Sequence, residues 1–186
     1  FLRNNTNQVA NNQNPSFINV SDIDFQKENV EISLHVINQE KVKGTVKDKR
    51  IKDTLLKILK DTDIETPGVR QNIVEVIQFE MAKNSEDNSL LDALIYTLHN
   101  DPNIGIRLKV LSILTSLAWN DNIKKAVLHS LNNDPKSSIR IKALDALSEH
   151  IDEEIINAFK EIEETSENKY LKYKSKKILF DTIYKS

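Results

Sequence analysis

The sequence predicts a mainly α fold, a superhelical stack of paired helices headed by a small three-stranded antiparallel β-meander, and three observations carry that prediction. A stretch running Asp101-Pro-Asn-Ile-Gly-Ile-Arg-Leu-Lys-Val-Leu-Ser-Ile-Leu-Thr-Ser-Leu-Ala118 returns as Asp134-Pro-Lys-Ser-Ser-Ile-Arg-Ile-Lys-Ala-Leu-Asp-Ala-Leu-Ser-Glu149, a shift of 33 residues. A period of that size in an apolar helical pattern is the mark of a stacked repeat. From Arg50 onward apolar residues fall at helical spacing, beginning with Ile51, Leu55, Ile58 and Leu59. Before that point the pattern alternates instead, which is the signature of strands.

Residues 1–16 are polar and Asn-rich, with no period of 2 or 3.6, and read as a flexible linker. Because the chain opens on Phe1 rather than Met, it is expected to be a fragment, and a membrane helix just before Phe1 would fit the Phe-Leu-Arg start. Residues 17–48 read as the meander. Ile18, Val20, Ile23 and Phe25, then Val30, Ile32, Leu34 and Val36, then Val42 and Val46 alternate with polar residues, broken by Gln26-Lys-Glu-Asn29 and Asn38-Gln-Glu-Lys41. One face, with Ile32, Leu34 and Val36, must lie on something apolar, and the first repeat is the next element along the chain.

Residues 50–186 read as four repeats of two helices. First helices are expected at 50–61, 88–100, 121–133 and 152–164, and second helices at 67–83, 104–118, 137–149 and 168–184. Asp48 is placed to cap the first of them. Pro67, Pro102 and Pro135 each fall between a first and a second helix, where proline ends one helix and can open the next. Arg70, Arg107, Arg140 and Lys172 recur at one repeat position, with spacings of 37, 33 and 32 residues, so the first connection is lengthened near Asn84 to Asn88. Leu111, Leu114, Ile141, Leu144 and Leu147 are the expected core between repeats.

The Asp-Pro-Asn-x-Gly-Ile-Arg pattern followed by Leu-x-x-Leu resembles the short HEAT-type repeat of bacterial proteins over residues 50–184. A meander ahead of such repeats also resembles, more weakly, the extracytoplasmic part of membrane-anchored bacterial anti-sigma-factor-like proteins. The first resemblance implies that each ladder arginine pairs with an aspartate of its own or the neighbouring turn, against the alternative of a basic ladder for phosphates or acidic partners. The second implies a periplasmic regulatory or sensor domain.

Composition narrows the chemistry. A formal charge of −2 with 29% charged residues gives no global field for nucleic acid or anionic membrane. There is no cysteine, so thiolate metal sites and cysteine nucleophiles are excluded. His35, His99, His129 and His150 show no metal-ligand spacing, and three glycines cannot build a phosphate-cradling loop. No cofactor, no metal and no active site is expected. No run approaches the roughly 18 apolar residues of a membrane helix, so insertion by this fragment is not expected.

The function expected is therefore a non-enzymatic protein-interaction or sensor module, with a nucleic-acid-binding protein of similar repeat form or a cytoplasmic scaffold as alternatives. The binding candidates are positions two, five and eight after the ladder residue, where second helices line a shared polar surface: Lys109, Ser112 and Thr115, then Lys142 and Asp145, with Asn72, Glu75, Gln78 and Ser148 at the remaining places. Trp119, the only tryptophan, is a further candidate as an aromatic anchor, or else closes its helix end against the next repeat. Acids crowd 149–167 and lysines crowd 169–185, so the last two helices either neutralise each other or present a basic end.

Overall fold

A computed structural model describes residues 19–26, 29–35, 40–61, 67–83 and 87–184. The expected linker at 1–16 lies outside the described residues. Strands β1 (Asn19–Gln26), β2 (Asn29–His35) and β3 (Glu40–Gly44) form one antiparallel sheet in the order β1-β2-β3. Its register puts Ile23 opposite Ile32 and Ile32 opposite Val42. Ile23, Val30 and Ile32 are buried in the main core.

Among the described residues eight helices come next along the chain, in four hairpins: α1 (Lys49–Lys60) with α2 (Pro67–Lys83), α3 (Asn88–Asn100) with α4 (Ile104–Ser116), α5 (Asp121–Asn133) with α6 (Ser137–Leu147), and α7 (Glu153–Thr165) with α8 (Lys169–Tyr184). First helices pack on first helices and second on second, since α1, α3, α5 and α7 touch in sequence, as do α2, α4, α6 and α8. The result is two layers of helices with one continuous core between them.

Local chemistry sets the boundaries. Asp48, Asp87, Asn103, Asn120, Asp152 and Asn168 each accept a backbone N–H from the first turn of the helix they precede, satisfying donors with no intrahelical partner. Pro67 opens α2, where the missing N–H costs nothing. Two second helices end earlier than their periodicity suggests: α4 at Ser116 instead of 118 and α6 at Leu147 instead of 149. Trp119 therefore lies in the connection to α5 and not on a helix.

The sheet caps the stack at its first hairpin. β1 packs on α2 and β3 on α1, and the Asn72 amide donates to the Ile23 carbonyl at 3.2 Å. Gly44 marks the closest approach: a Cβ there would stand 2.9 Å from Cγ1 of Ile51, so only glycine lets β3 turn onto α1.

Inner and outer helices differ in how much they bury. On α4 the buried residues Ile106, Arg107, Val110, Leu111, Ile113 and Leu114 cover a wide arc, because the helix is flanked by α2, α6 and α3. On α7 only the stripe Ile155, Phe159 and Ile162 is buried. Of the five expected inter-repeat core residues, Leu111, Leu114, Leu144 and Leu147 are fully buried, whereas Ile141 is only partly so, packed at the edge of the core.

Two substitutions read this packing. Leu144→Ala should lower stability by about 2 to 5 kcal/mol, the range for a buried leucine, in a denaturant melt. Ser175 is fully buried on α8 and its hydroxyl has no hydrogen-bond partner among the described residues. Ser175→Ala removes that stranded group and should raise stability by about 1 kcal/mol.

Candidate functional site

The ladder arginines are the natural starting point because they are charged and buried. Arg70 on α2 donates from Nε to Oδ2 of Asp101 at 2.7 Å and from Nη2 to Oδ1 at 3.2 Å. Arg107 on α4 repeats the fork on Asp134, at 3.0 and 3.1 Å. Each aspartate is the C-cap of the next hairpin's first helix, so the pair is a clamp between consecutive hairpins. It is neither a ligand site nor a contact within one turn.

The aspartate has a second task. Oδ1 of Asp101 accepts the N–H of Asn103 at 2.8 Å, and Oδ1 of Asp134 accepts that of Lys136 at 2.8 Å. A carboxylate at a helix C-terminus opposes the helix dipole, and the guanidinium from the preceding hairpin offsets this. Arg107 adds a third bond, from Nη1 to the Asp101 carbonyl at 2.8 Å. It thereby ties two first-helix ends together. Planar fork geometry is what arginine offers here and lysine does not.

Arg140 departs from the pattern expected of it. Its Nε donates to the Leu131 carbonyl at 2.8 Å, and it forms no ion pair with an aspartate among the described residues. At the C-cap of α7, where the two preceding first helices have aspartate, the chain has Ser166.

Along the first helices a parallel set of ties exists. Lys52 on α1 reaches Asp87, the N-cap of α3, at 3.0 Å. Lys124 on α5 reaches Asp152, the N-cap of α7, at 3.0 Å and Glu154 at 2.8 Å. Burial works against the Asp87 charge, but the Ser89 hydroxyl, Lys52 and the Leu90 N–H together hold its pKa below the ordinary value. Hydrogen bonds to Glu154 and then Asp152 raise the pKa of Lys124.

The structure brings two histidines together that their spacing in the sequence did not connect. His99 at the end of α3 and His129 at the end of α5 have ring centroids 4.3 Å apart, above the Arg107 clamp. They share a cavity of about 240 Å³ with Asp101, Asp134 and Ser130. Nε2 of His99 lies 3.1 Å from the Ala126 carbonyl. Burial pushes the His99 pKa down, the neighbouring His129 adds to this, and the carbonyl and Asp134 oppose it. Both carboxylates are held by arginines, and among the described residues no group of three or more histidines and acids could hold a metal ion.

Trp119 stacks on His150, with centroids 3.9 Å apart and planes 9° from parallel. The tryptophan is thus half-buried against the connection after α6, and it closes one hairpin onto the next.

The remaining candidates lie on the second-helix layer. Ser112 is exposed, with its hydroxyl donating to the Leu108 carbonyl, and the Thr115 hydroxyl does the same to Leu111. These hydroxyls are already committed to their own helix. Asp145 is ion-paired with Lys174 of α8. Lys109 and Lys142 are half-buried on α4 and α6, and neither forms an ion pair among the described residues. Lys109 borders a groove of about 290 Å³ between the starts of α2 and α4, lined also by Gln71, Val74, Asn103 and Ile106. Asn72, the matching position on α2, is taken by the sheet. The acids of α7 and lysines of α8 neutralise each other little, since between these two helices, among the described residues, only Lys176 and Glu163 form an ion pair, at 3.8 Å.

Two measurements test these assignments. Asp101→Asn leaves Arg70 buried without its carboxylate and should cost about 3 to 5 kcal/mol, the usual penalty for breaking a buried pair from one side, in a urea melt. For His99 the folded pKa lies below the ordinary 6.5, so the fold favours the neutral ring. Its contribution is complete above 6.5 and is lost as pH falls below that value through the folded-state pKa. The His99 ring signal in an NMR titration should therefore have its midpoint below 6.5, and His99→Gln should flatten the loss of melting temperature on acidification.

No family model, curated protein or solved structure matches the chain, which leaves its buried pairs and exposed surfaces to carry the functional reading.

Proposed function

We propose that this chain is a non-enzymatic protein-binding module of HEAT-like repeats whose second-helix layer receives a polypeptide partner. The observation that supports this most is a pair of ammonium groups on that layer with no ion pair among the described residues, Lys109 and Lys142, one repeat apart and at the same helical position. α4 and α6 pack side by side, so two such groups recur along the layer like teeth, beside the groove at α2 and α4. An extended segment with acidic side chains at matching intervals is the complementary partner. Ser112 lies between them with its hydroxyl already satisfied, offering shape rather than a strong polar contact.

The order of a sheet followed by stacked hairpins supports placing the domain in a membrane-anchored regulatory protein, outside the cytoplasm. None of the described helices is long and apolar enough to cross a membrane, so an anchor would have to be a separate segment.

A photo-crosslinking residue at Ser112 should capture one defined protein in cells, while the same residue at exposed Asp92 on the first-helix layer should not. Lys109→Glu with Lys142→Glu should lose that crosslink and keep the melting temperature within about 1 °C, since charges in contact with water contribute little to stability. Crosslinks of equal yield at Ser112 and Asp92 would overturn the assignment of the surface. Protease added outside the inner membrane should digest the domain in the full-length protein, and protection from it would place the module in the cytoplasm.

A further inference from the structure

The groove beside Lys109 combines an apolar lining with polar groups of one kind, and the combination specifies an occupant. It lies between the starts of α2 and α4 and encloses about 290 Å³. Small-molecule sites occupy roughly 300 to 1,000 Å³, so this one has room for a single branched apolar side chain and not for a cofactor. Val74 and Ile106 line it from below, since both are almost wholly buried at 0% and 3% exposure. Pro67 and Gln71 flank it from α2 and are exposed, while Gly105 on α4 offers backbone alone, which leaves the apolar lining uncovered on that side.

The polar groups at the same groove are donors. Lys109 lines it, half-buried, and forms no ion pair among the described residues. Asn103 lines it too: its Oδ1 accepts the N–H groups of Gly105 and Ile106 at 2.8 and 3.3 Å, and its amide nitrogen has no partner among the described residues. No acid is among the lining residues. An ammonium partly withdrawn from water beside an apolar surface is best met by a carboxylate. Lys142 repeats the Lys109 position on α6, which packs against α4. Packed helices lie about 8 to 10 Å apart, and three residues of a polyproline II segment span about 9 Å and return to the same face.

We propose that this groove is the anchor point of the second-helix layer and takes a leucine-sized side chain from an extended polypeptide segment. An acidic residue two places from that side chain meets Lys109 and the Asn103 amide, and a second acid three places farther meets Lys142. The inference rests on the reading of this layer as a peptide-binding surface and adds to it the apolar anchor and the spacing of the acids. Burial of the anchor supplies affinity, and the two carboxylates set register. A phosphate polymer would satisfy the lysines but leave Val74 and Ile106 facing water, so the groove favours a peptide over a nucleic acid.

The test titrates the peptide Ser-Leu-Pro-Glu-Pro-Pro-Glu-Ser and its reversed sequence into the protein, followed by NMR on the methyls of Val74 and Ile106 and the amide of Gly105. At least one of the two should give saturable shifts with a dissociation constant of about 0.1 to 1 mM, as one small anchor and two ion pairs afford. Serine in place of the leucine should weaken binding at least tenfold, and glutamine in place of both glutamates severalfold. In the protein, Gln71→Trp, an exposed change that lays a ring over the groove, should weaken binding at least tenfold at unchanged melting temperature, and Lys109→Glu severalfold. Shifts that never saturate, equal binding of the serine peptide, Val74 and Ile106 methyls that do not move, or tighter binding of an oligodeoxythymidylate would each overturn the proposal. In cells Gln71→Trp should also lose the crosslink from Ser112. A crosslink that survives both Gln71→Trp and Lys109→Glu sinks the groove as anchor and leaves the layer as a binding surface, whereas saturable peptide binding by a chain that gives no crosslink at Ser112 sinks the layer's role in cells and sustains the chemistry of the groove.

Discussion

The stack depends on a charge pair placed where an apolar contact would usually suffice. Arg70 and Arg107 leave their own hairpins to grip Asp101 and Asp134 of the next, all four side chains being almost wholly shielded from water. Two buried ions cost several kcal/mol each in lost hydration, so the pair persists only because every oxygen and nitrogen that matters is met. Nε and Nη2 meet both carboxylate oxygens, and Oδ1 also meets a backbone N–H. Leucine or valine would pack at almost any rotation of one hairpin on another. A forked ion pair is satisfied at one rotation and one register, so at the first two interfaces it adds its own constraint to that of the packed core.

The other inter-hairpin ties are weaker and lie farther out. Lys52 with Asp87 and Lys124 with Asp152 join first helices through N-cap carboxylates, at partial exposure where water screens them. Trp119 on His150 and His99 beside His129 add aromatic contacts across the same interfaces. The buried clamp and leucine layers set the register, and these outer contacts hold the rims. Among the described residues only the last interface lacks a clamp, and there the cation remains while the acid is replaced.

The two ends of the stack are closed differently. At the start the sheet covers the first hairpin, with Asn72 fastened to β1 and Gly44 allowing β3 to meet Ile51. At the finish α8 turns Tyr170, Tyr173 and Phe180 outward, each more than half exposed, among Lys169, Lys172, Lys176 and Lys177. Lysines alternate with the three rings along this last described helix. Of the polar surface between these ends, the sheet takes Asn72 and Lys174 takes Asp145, while Lys109 and Lys142 form no ion pair among the described residues.

Fold class, element order and most boundaries were legible in the sequence because each depends on near neighbours. Period 3.6 and period 2 record which side of an element is wet, and Asp48, Asn103 and Pro67 mark helix starts through bonds only two or three residues long. Leu111, Leu114, Leu144 and Leu147 could be named as core from spacing alone. What the sequence could not settle is which groups meet in the folded chain: that Arg107 reaches forward 27 residues to Asp134 and Arg70 reaches 31 to Asp101, that His99 faces His129, and that the Arg140 side chain, among the described residues, turns back to Leu131. The repeat supplies identical positions, but the partner of each is fixed by how one hairpin rotates on the next, and that rotation is a property of the packed core as a whole. For the same physical reason Asn72 and Asp145 looked free in a pattern of exposed positions and are engaged in the folded chain, each by a neighbour brought to it only through tertiary packing, and the partner of Trp119, His150, could not be named.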